Sequence, residues 1–164
     1  MSSKSALSKA VARHLAESML PADPPFAADG LERATAFVLS AAAQRDPGQA
    51  SIVIESISGS ASDRFMRIAL INDDMPFLVD SISAAIAAHG LAIDRLLHPV
   101  LAVRRDTAGK LTEVLDVHAA GEKRESMIYL ETERGDARAR RALETALAAK
   151  IGRASCRERV CLAV

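Results

Sequence analysis

The sequence predicts an α+β domain in which helices pack on one face of an antiparallel sheet. Its 164 residues are enough for about one domain with a modest core. Hydrophobic residues make up 49% of the chain and aromatic residues only 3%, so the apolar mass is mostly Ala, Leu, Ile and Val, which suits a small domain of this class. Apolar runs of strand length also alternate with segments whose apolar residues recur at helical spacing.

Residues 1–49 predict a helical lead-in that carries no recognisable chemistry. Apolar residues recur at helical spacing over the first 20 positions, and a proline-rich segment that starts at Pro21 breaks this helix. A second helix is expected over residues 31–43, with Asp29 as its N-cap and Pro47 and Gly48 at its end. We interpret this part as a short helix pair or a partly disordered arm that precedes the sheet.

Residues 50–150 carry the signals of a single sheet domain. Strands are expected at 51–57, 65–71, 93–105, 111–118 and 126–131, with turns at 59–63 and 107–110. A helix from Pro76 to His89, ended by Gly90, follows the second strand, and an amphipathic helix from Asp136 to Lys150 closes the domain. The order strand, helix, three strands, helix predicts an antiparallel sheet of ferredoxin-like type, preceded by the short N-terminal helices.

Charge and hydropathy exclude several classes of function. The 21 basic residues balance 21 acidic ones, which argues against nucleic-acid binding driven by bulk charge. No apolar run approaches the roughly 20 residues of a membrane span. Charged residues are spread through the first 20 positions, so the N-terminus does not read as a secretory signal. We therefore expect no membrane or nucleic-acid partner and a cytoplasmic location.

The last 14 residues, 151–164, are interpreted as a non-native tail. Cys156 and Cys161 lie there, and a pair at this spacing is compatible with a metal half-site or a disulfide. However, the segment from Lys150 to Val160 resembles a vector-derived translation that recurs at the ends of truncated gene models, and the amphipathic pattern stops at about Lys150. We therefore leave this segment out of the predicted fold.

The turn between the second strand and the following helix is the candidate site. Its six residues are Asn72, Asp73, Asp74, Met75, Pro76 and Phe77. In one interpretation an aspartate caps the helix and both carboxylates favour its positive end. In the other, one carboxylate holds the ammonium group of an amino-acid ligand while the first helix amides hold its carboxylate.

Two further groups of polar residues are given structural interpretations. His98 and Pro99 interrupt a strand, which indicates an edge or a bulge, and a metal site formed with Asp116 and His118 has no supporting ligand spacing. The basic clusters are interpreted as solvated faces balanced by nearby acids; they are Arg104, Arg105, Arg138, Arg140 and Arg141. The sequence contains none of the common nucleotide-binding, zinc-protease or hydrolase motifs, and no metal or catalytic residue is assigned.

Three blocks of the sequence resemble one family of enzymes. The first spans residues 71–81 and contains the specific sequence NDDMPFLVDS; residues 97–106 and 125–131 support it by their order and spacing. Together they are similar to the N-terminal region of the large bacterial NAD-specific glutamate dehydrogenases. In that family this region is the first of several ACT-like domains that precede the catalytic core.

This resemblance implies an ACT-type fold and a fragment of a larger protein. The parent oxidatively deaminates L-glutamate to 2-oxoglutarate and ammonia with NAD, and neither a catalytic residue nor a cofactor is carried over to this chain. The implied partners are the remaining domains of the parent, an amino-acid effector at residues 72–77, and further copies of the chain in a homo-oligomer. The alternative is a stand-alone ACT-type module that binds amino acids without catalysis.

Overall fold

The computed structural model describes residues 3–59, 64–115 and 121–161, which form four helices and six strands. The helices are α1 (Ser3–Glu17), α2 (Gly30–Ala42), α3 (Leu78–Ala88) and α4 (Ala137–Cys161). The strands are β1 (Ser51–Ile57), β2 (Phe65–Asp73), β3 (Ile93–Leu97), β4 (Val100–Arg105), β5 (Leu111–Leu115) and β6 (Lys123–Glu133). Residues 60–63 of the first predicted turn and residues 116–118 of the fourth predicted strand lie outside the described residues.

The six strands form one antiparallel sheet in the order β1-β2-β6-β4-β5, with β3 also paired to β6. One side of β6 pairs with β2, and the other side pairs with β4 and β3 one after the other. His98 and Pro99 separate these two strands, because Pro has no amide hydrogen for the ladder. The predicted interruption is confirmed, and the carbonyl of Pro99 accepts a hydrogen bond from the amide of Met127 across the gap at 3.0 Å.

Successive residues of the central strands point to opposite faces of the sheet, and each face has its own hydrophobic cluster. Met66, Ile68 and Leu70 of β2 belong to the cluster that packs against α3 and α4. Ala69 and Ile71 belong to the cluster that packs against α1 and α2. The two helices of the predicted sheet domain therefore lie on one face, as expected, and the lead-in helices cover the other face.

The elements β2, α3, β3, β6 and α4 follow the β-α-β-β-α order that begins a ferredoxin-like unit. Strand β1 precedes this unit in the chain and lies at the outer position beside β2, joined to it over the whole register from Ser51–Ile71 to Ile57–Phe65. The β4–β5 hairpin is inserted between β3 and β6 and extends the sheet beyond β4. The structure is thus an α+β sandwich of the predicted class.

Helix α3 ends as the sequence predicted. Gly90 has a φ of 70° and follows the C-cap residue His89. Its amide donates to the carbonyl of Ala87 at 2.9 Å, and the amide of Leu91 donates to the carbonyl of Ile86 at 3.3 Å. This pair of bonds is the Schellman motif, which needs a residue with positive φ at this position.

Helix α4 runs past the expected end at Lys150, as far as Cys161. Ile151 lies one helical turn after Leu147 and is only 2% exposed in the same cluster, so the apolar stripe extends one residue further than predicted. The side chains of Cys156 and Cys161 lie outside the described part, and the origin of residues 151–164 stays a prediction. Among the described residues, no helix is both long enough and apolar enough to cross a membrane.

Candidate functional site

The predicted turn lies at one end of the central strands and leads into α3. Asn72 and Asp73 are the last residues of β2, and Asn72 is buried. Asp74, Pro76 and Phe77 are exposed. Met75 is partly buried and packs against the hydrophobic cluster that contains α3 and α4. Phe77 is 77% exposed and has a φ of 61°, a left-handed conformation that is uncommon for a residue other than glycine.

Neither aspartate caps α3, so the capping interpretation is wrong. The N-cap position is Phe77, and no side chain bonds to the first amides of the helix there. β2 ends at Asp73, two residues beyond its predicted end, and α3 begins only at Leu78. Both aspartates therefore precede the N-cap position and cannot occupy it. Both carboxylates instead face partners on other elements. A similar difference occurs at Asp29, which occupies the N-cap of α2, but its carboxylate accepts a hydrogen bond from the guanidinium of Arg33 rather than from a helix amide.

Asp73 belongs to a buried ionic network centred on Glu125 of β6. Arg45 donates through Nη2 to Oδ1 of Asp73 at 2.5 Å and to Oε1 of Glu125 at 2.6 Å. Arg105 of β4 donates through Nε and Nη2 to the two carboxylate oxygens of Glu125, each at 2.9 Å. This second pair is bidentate, the strongest arrangement for a guanidinium and a carboxylate. We call Arg45, Asp73, Arg105 and Glu125 the Glu125 network.

The charges of the Glu125 network stabilise one another against burial. Glu125 is completely buried, which disfavours its charged form, but hydrogen bonds from Arg105 and Arg45 outweigh that effect and lower its pKa. Burial likewise opposes the charge of Arg45, but the hydrogen bonds to Glu125 and Asp73 prevail and raise its pKa. Two guanidiniums and two carboxylates leave no net charge, so this network is a balanced structural unit.

The Glu125 network ties the end of α2 to the β4–β5 turn. Arg105 donates through Nη1 to the carbonyls of Ala42 and Gly109, both at 2.8 Å. The amide of Arg45 also donates to the carbonyl of Gly109 at 3.1 Å, and the amide of Leu111 donates to the carbonyl of Ala43 at 3.0 Å. The lead-in helices are therefore attached to the sheet by polar contacts as well as by the hydrophobic cluster.

Asp74 belongs to a second polar group that extends into the strand break. Ser126 donates through Oγ to Oδ1 of Asp74 at 3.1 Å, so the hydrogen bond of 3.0 Å between Nε2 of His98 and Ser126 must be donated by the imidazole. Burial lowers the pKa of His98, and the charge of Asp74 partly opposes this. Because its proton points to Asp74, Ser126 is not activated as a nucleophile. This group orients the turn rather than supplying catalytic chemistry.

The polar residues that were weighed as metal ligands, and the basic clusters, can now be assigned in part. Asp116 and His118 lie outside the described residues, and within the described ranges no group of three His, Cys, Asp or Glu side chains could hold a metal ion. Arg104 is exposed and pairs with Glu113 and Glu122, as a solvated face should. Arg105 does not lie on a solvated face, because its side chain pairs with the buried Glu125. The interpretation as part of a solvated basic cluster is therefore wrong for this residue.

Arg45, Glu125 and Ser126 are the residues that sequence reasoning missed. Glu125 and Ser126 stand at the start of an apolar strand run, and a charged residue that continues a buried strand is a signal for an internal ion pair. Arg45 lies 80 positions from Glu125 in the sequence and had no signal of its own. The pairing of these residues depends on the tertiary structure.

The antiparallel sheet, with two helices on one face and a strand-to-helix turn at the end of β2, has the arrangement of a domain of the ACT type. The family model of the glutamate dehydrogenase ACT1 domain matches residues 11–147, and the chain belongs to that family. The match begins within α1 and so includes most of the lead-in helices.

Two curated proteins illustrate the similarity. The NAD-specific glutamate dehydrogenase of Pseudomonas aeruginosa is 38% identical over 88 residues, which are 52% of this chain and 5% of that protein. The NAD-specific glutamate dehydrogenase of Halomonas elongata is 39% identical over 69 residues, 41% of this chain and 4% of that protein. The match thus spans about a twentieth of the length of these relatives, and no solved structure is significantly similar to the chain.

Proposed function

We propose that this chain is the N-terminal ACT-like part of an NAD-dependent glutamate dehydrogenase, and that it serves the assembly or regulation of that enzyme rather than its chemistry. The observation that carries the proposal is the family match over residues 11–147. The relatives are named NAD-specific glutamate dehydrogenases, which supports NAD as the cofactor of the parent and L-glutamate, 2-oxoglutarate and ammonia as its reactants. The parent would act in the cytoplasm, as a homo-oligomer.

The contacts at the turn favour assembly over catalysis. Asp73 is neutralised by Arg45, and Asp74 accepts a hydrogen bond from the hydroxyl of Ser126, so both carboxylates already stabilise the fold. Catalytic acids and bases need a reacting group within hydrogen-bond reach, and these side chains are directed at their own neighbours. Asp74, Pro76 and Phe77 are nonetheless exposed, and in this proposal they form a surface that contacts a neighbouring domain of the parent.

The nucleotide sequence of the locus tests this proposal directly. We expect the reading frame to continue beyond the codon for Lys150 into a long coding region that does not encode residues 152–164. The purified chain, incubated with L-glutamate and NAD, is then expected to form no NADH. If the frame ends after Val164, the proposed parent does not exist at this locus, and the chain is a stand-alone module.

A second candidate function, binding of an amino-acid effector at residues 72–77, is favoured by the exposure of Asp74 beside the start of α3. We propose that the free oxygen of Asp74 would hold the ammonium group of the effector. In calorimetric titrations with a panel of amino acids, Asp74→Asn is expected to lower the affinity at least tenfold, because the amide loses the charge. Asp80→Asn, an exposed aspartate in the first turn of α3, is the matched control. Equal affinity of Asp74→Asn and the wild type would rule out this site.

A further inference from the structure

Four charged residues form a row across four neighbouring strands on the face covered by α1 and α2. Glu55 of β1 is opposite Arg67 of β2, Arg67 is opposite Glu131 of β6, and Glu131 is opposite Arg95 of β3. Adjacent members have opposite charge, so each pair is favourable. We call these four residues the charge row.

The two guanidiniums of the charge row differ in how well their donors are paired. Arg67 donates through Nε and Nη2 to Glu55 at 2.8 and 2.6 Å, and through Nη1 to the carbonyl of Arg33 at 3.4 Å. Arg95 donates through Nε to Glu131 at 3.2 Å. Its Nη1 is buried and has no hydrogen-bond acceptor in the described part of the chain. Because Arg95 is only 6% exposed, solvent has little access to this donor. A buried charged donor without a partner is costly and calls for an acceptor.

Aromatic rings enclose this end of the charge row. The guanidinium of Arg95 lies 4.1 Å from the centre of the Phe26 ring, and Phe26 also contacts Tyr129, with ring centres 6.3 Å apart. The Tyr129 hydroxyl donates to Oε1 of Glu131 at 2.9 Å, and burial, followed by the charge of Glu131, raises its pKa. Phe26 belongs to the irregular connection between α1 and α2, so its ring can move aside without breaking a helix or strand hydrogen bond.

The charge row carries no net charge. Arg67, Arg95 and Glu131 are mostly buried, with side chains 16%, 6% and 18% exposed, and the Glu55 side chain is 48% exposed. Glu55 accepts two hydrogen bonds from Arg67 at 2.8 and 2.6 Å, so two guanidiniums meet two carboxylates. The row still has no acceptor for Nη1 of Arg95 among the described residues, and a buried hydrogen bond from a charged donor is stronger than one at the surface.

We propose that Nη1 of Arg95 is the donor of a binding site for the carboxylate group of a small molecule, covered by the Phe26 ring. A carboxylate oxygen accepts the unpaired hydrogen bond of Arg95. Carboxylate is the preferred acceptor because a hydrogen bond between two charged groups is stronger than one between neutral groups. This site lies on the face of α1 and α2 and is independent of the turn at residues 72–77.

Tyr129 provides a direct reporter for this site, because the sequence contains one tyrosine and no tryptophan. Sodium acetate is titrated into the purified chain at constant ionic strength, with sodium chloride as the balancing salt, while tyrosine emission is recorded. We expect a saturable change with a midpoint in the millimolar range, since acetate engages the carboxylate subsite alone. The change arises because Glu131 is shared between Arg95 and the Tyr129 hydroxyl.

Arg95→Gln should abolish the saturable response, and Arg95→Lys should raise the midpoint at least tenfold because a lysine that pairs with Glu131 has no second donor fixed at the position of Nη1. Arg104→Gln is the control, because it removes one exposed arginine that pairs with surface glutamates. Circular dichroism shows whether each variant is folded. A wild-type response that does not saturate, or the same midpoint for folded Arg95→Gln and the wild type, overturns the proposal and leaves water as the partner of Nη1. If Arg95→Gln does not fold, the wild-type and Arg95→Lys titrations decide.

Discussion

At the scale of single residues, Glu125 determines how the turn end of the sheet is held together. Its carboxylate has no exposed surface and accepts hydrogen bonds from Arg45, which follows α2, and from Arg105 of β4. Breaking a buried ion pair by removing one partner leaves the other charge without compensation. The stability of the domain therefore depends on this one carboxylate more than on the exposed ion pairs around it.

We predict that Glu125→Gln lowers the free energy of unfolding by about 3–5 kcal/mol at neutral pH, because Arg45 and Arg105 then lose their shared counter-charge in a buried site. Urea denaturation followed by circular dichroism measures this difference. Glu113→Gln, which removes an exposed partner of Arg104, is the control and should change stability by no more than about 0.5 kcal/mol.

The pH dependence of the free energy of unfolding, compared between the wild type and Glu125→Gln, tests whether the charge of Glu125 causes the difference in stability. The pKa of Glu125 is lower in the folded state than its ordinary value of 4.5, so its contribution is fully present above that value and is lost as the pH falls through the lowered pKa. The difference between the wild type and Glu125→Gln should therefore shrink in acid. A difference that stays constant from neutral to acidic pH would contradict the role of the charge.

At the scale of elements, the β4–β5 turn is a structural contact between the sheet and α2. Gly109 has a φ of 83°, and its carbonyl accepts hydrogen bonds from Arg45 and Arg105. A Cβ atom at this position would lie 2.3 Å from the carbonyl oxygen of Arg45, which belongs to the backbone and has no room to yield. Glycine is thus required here both for its conformation and for its lack of a side chain.

We predict that Gly109→Ala destabilises the domain by about 1–3 kcal/mol more than Gly121→Ala does, because only the first substitution adds a steric clash. Gly121 has a nearly identical φ of 82°, and no atom of the described residues lies within 4 Å of the position of a Cβ atom there, so it isolates the cost of the backbone conformation. Thermal unfolding of both variants compares the two costs. Equal midpoints for the variants would refute the close approach between the turn and Arg45.

At the scale of the whole molecule, the sheet lies between two hydrophobic clusters and contributes residues to both. Leu15 of α1 is completely buried in one cluster and Leu147 of α4 in the other, and Ala69 and Leu70 are neighbouring residues of β2 that point into different clusters. Packing on both faces of the same strands predicts that the two clusters unfold together.

We predict that Leu15→Ala and Leu147→Ala each cost about 2–5 kcal/mol and that each variant keeps a single unfolding transition. Leu20→Ala is the control, because Leu20 is 65% exposed and its truncation should have little effect. Calorimetry measures the number of transitions. A separate early transition in Leu15→Ala alone would mean that residues 1–49 unfold independently, as the predicted boundary between residues 49 and 50 would allow.

Elements whose signals are local could be predicted from the amino-acid sequence. The apolar run of β2, the helical spacing of α3 and the terminating glycine at Gly90 each act within a few residues, so the α+β class and the junction between β2 and α3 were predictable, although β2 takes in the first two residues of the predicted turn. The specific block at 71–81 likewise identified the family before the fold was known.

The partners of the charges in the turn became clear from the fold, because they come from distant parts of the chain. Asp73 was expected to cap a helix or hold a ligand, but Arg45 neutralises it from 28 positions away, and Glu125 meets Arg45 from 80 positions away. The fold also determines that α1 and α2 cover the second face of the sheet and that Arg95 ends the charge row with an unpaired donor. Such pairings depend on strand order and register, which bring distant residues together. The spacing of residues along the chain does not indicate them.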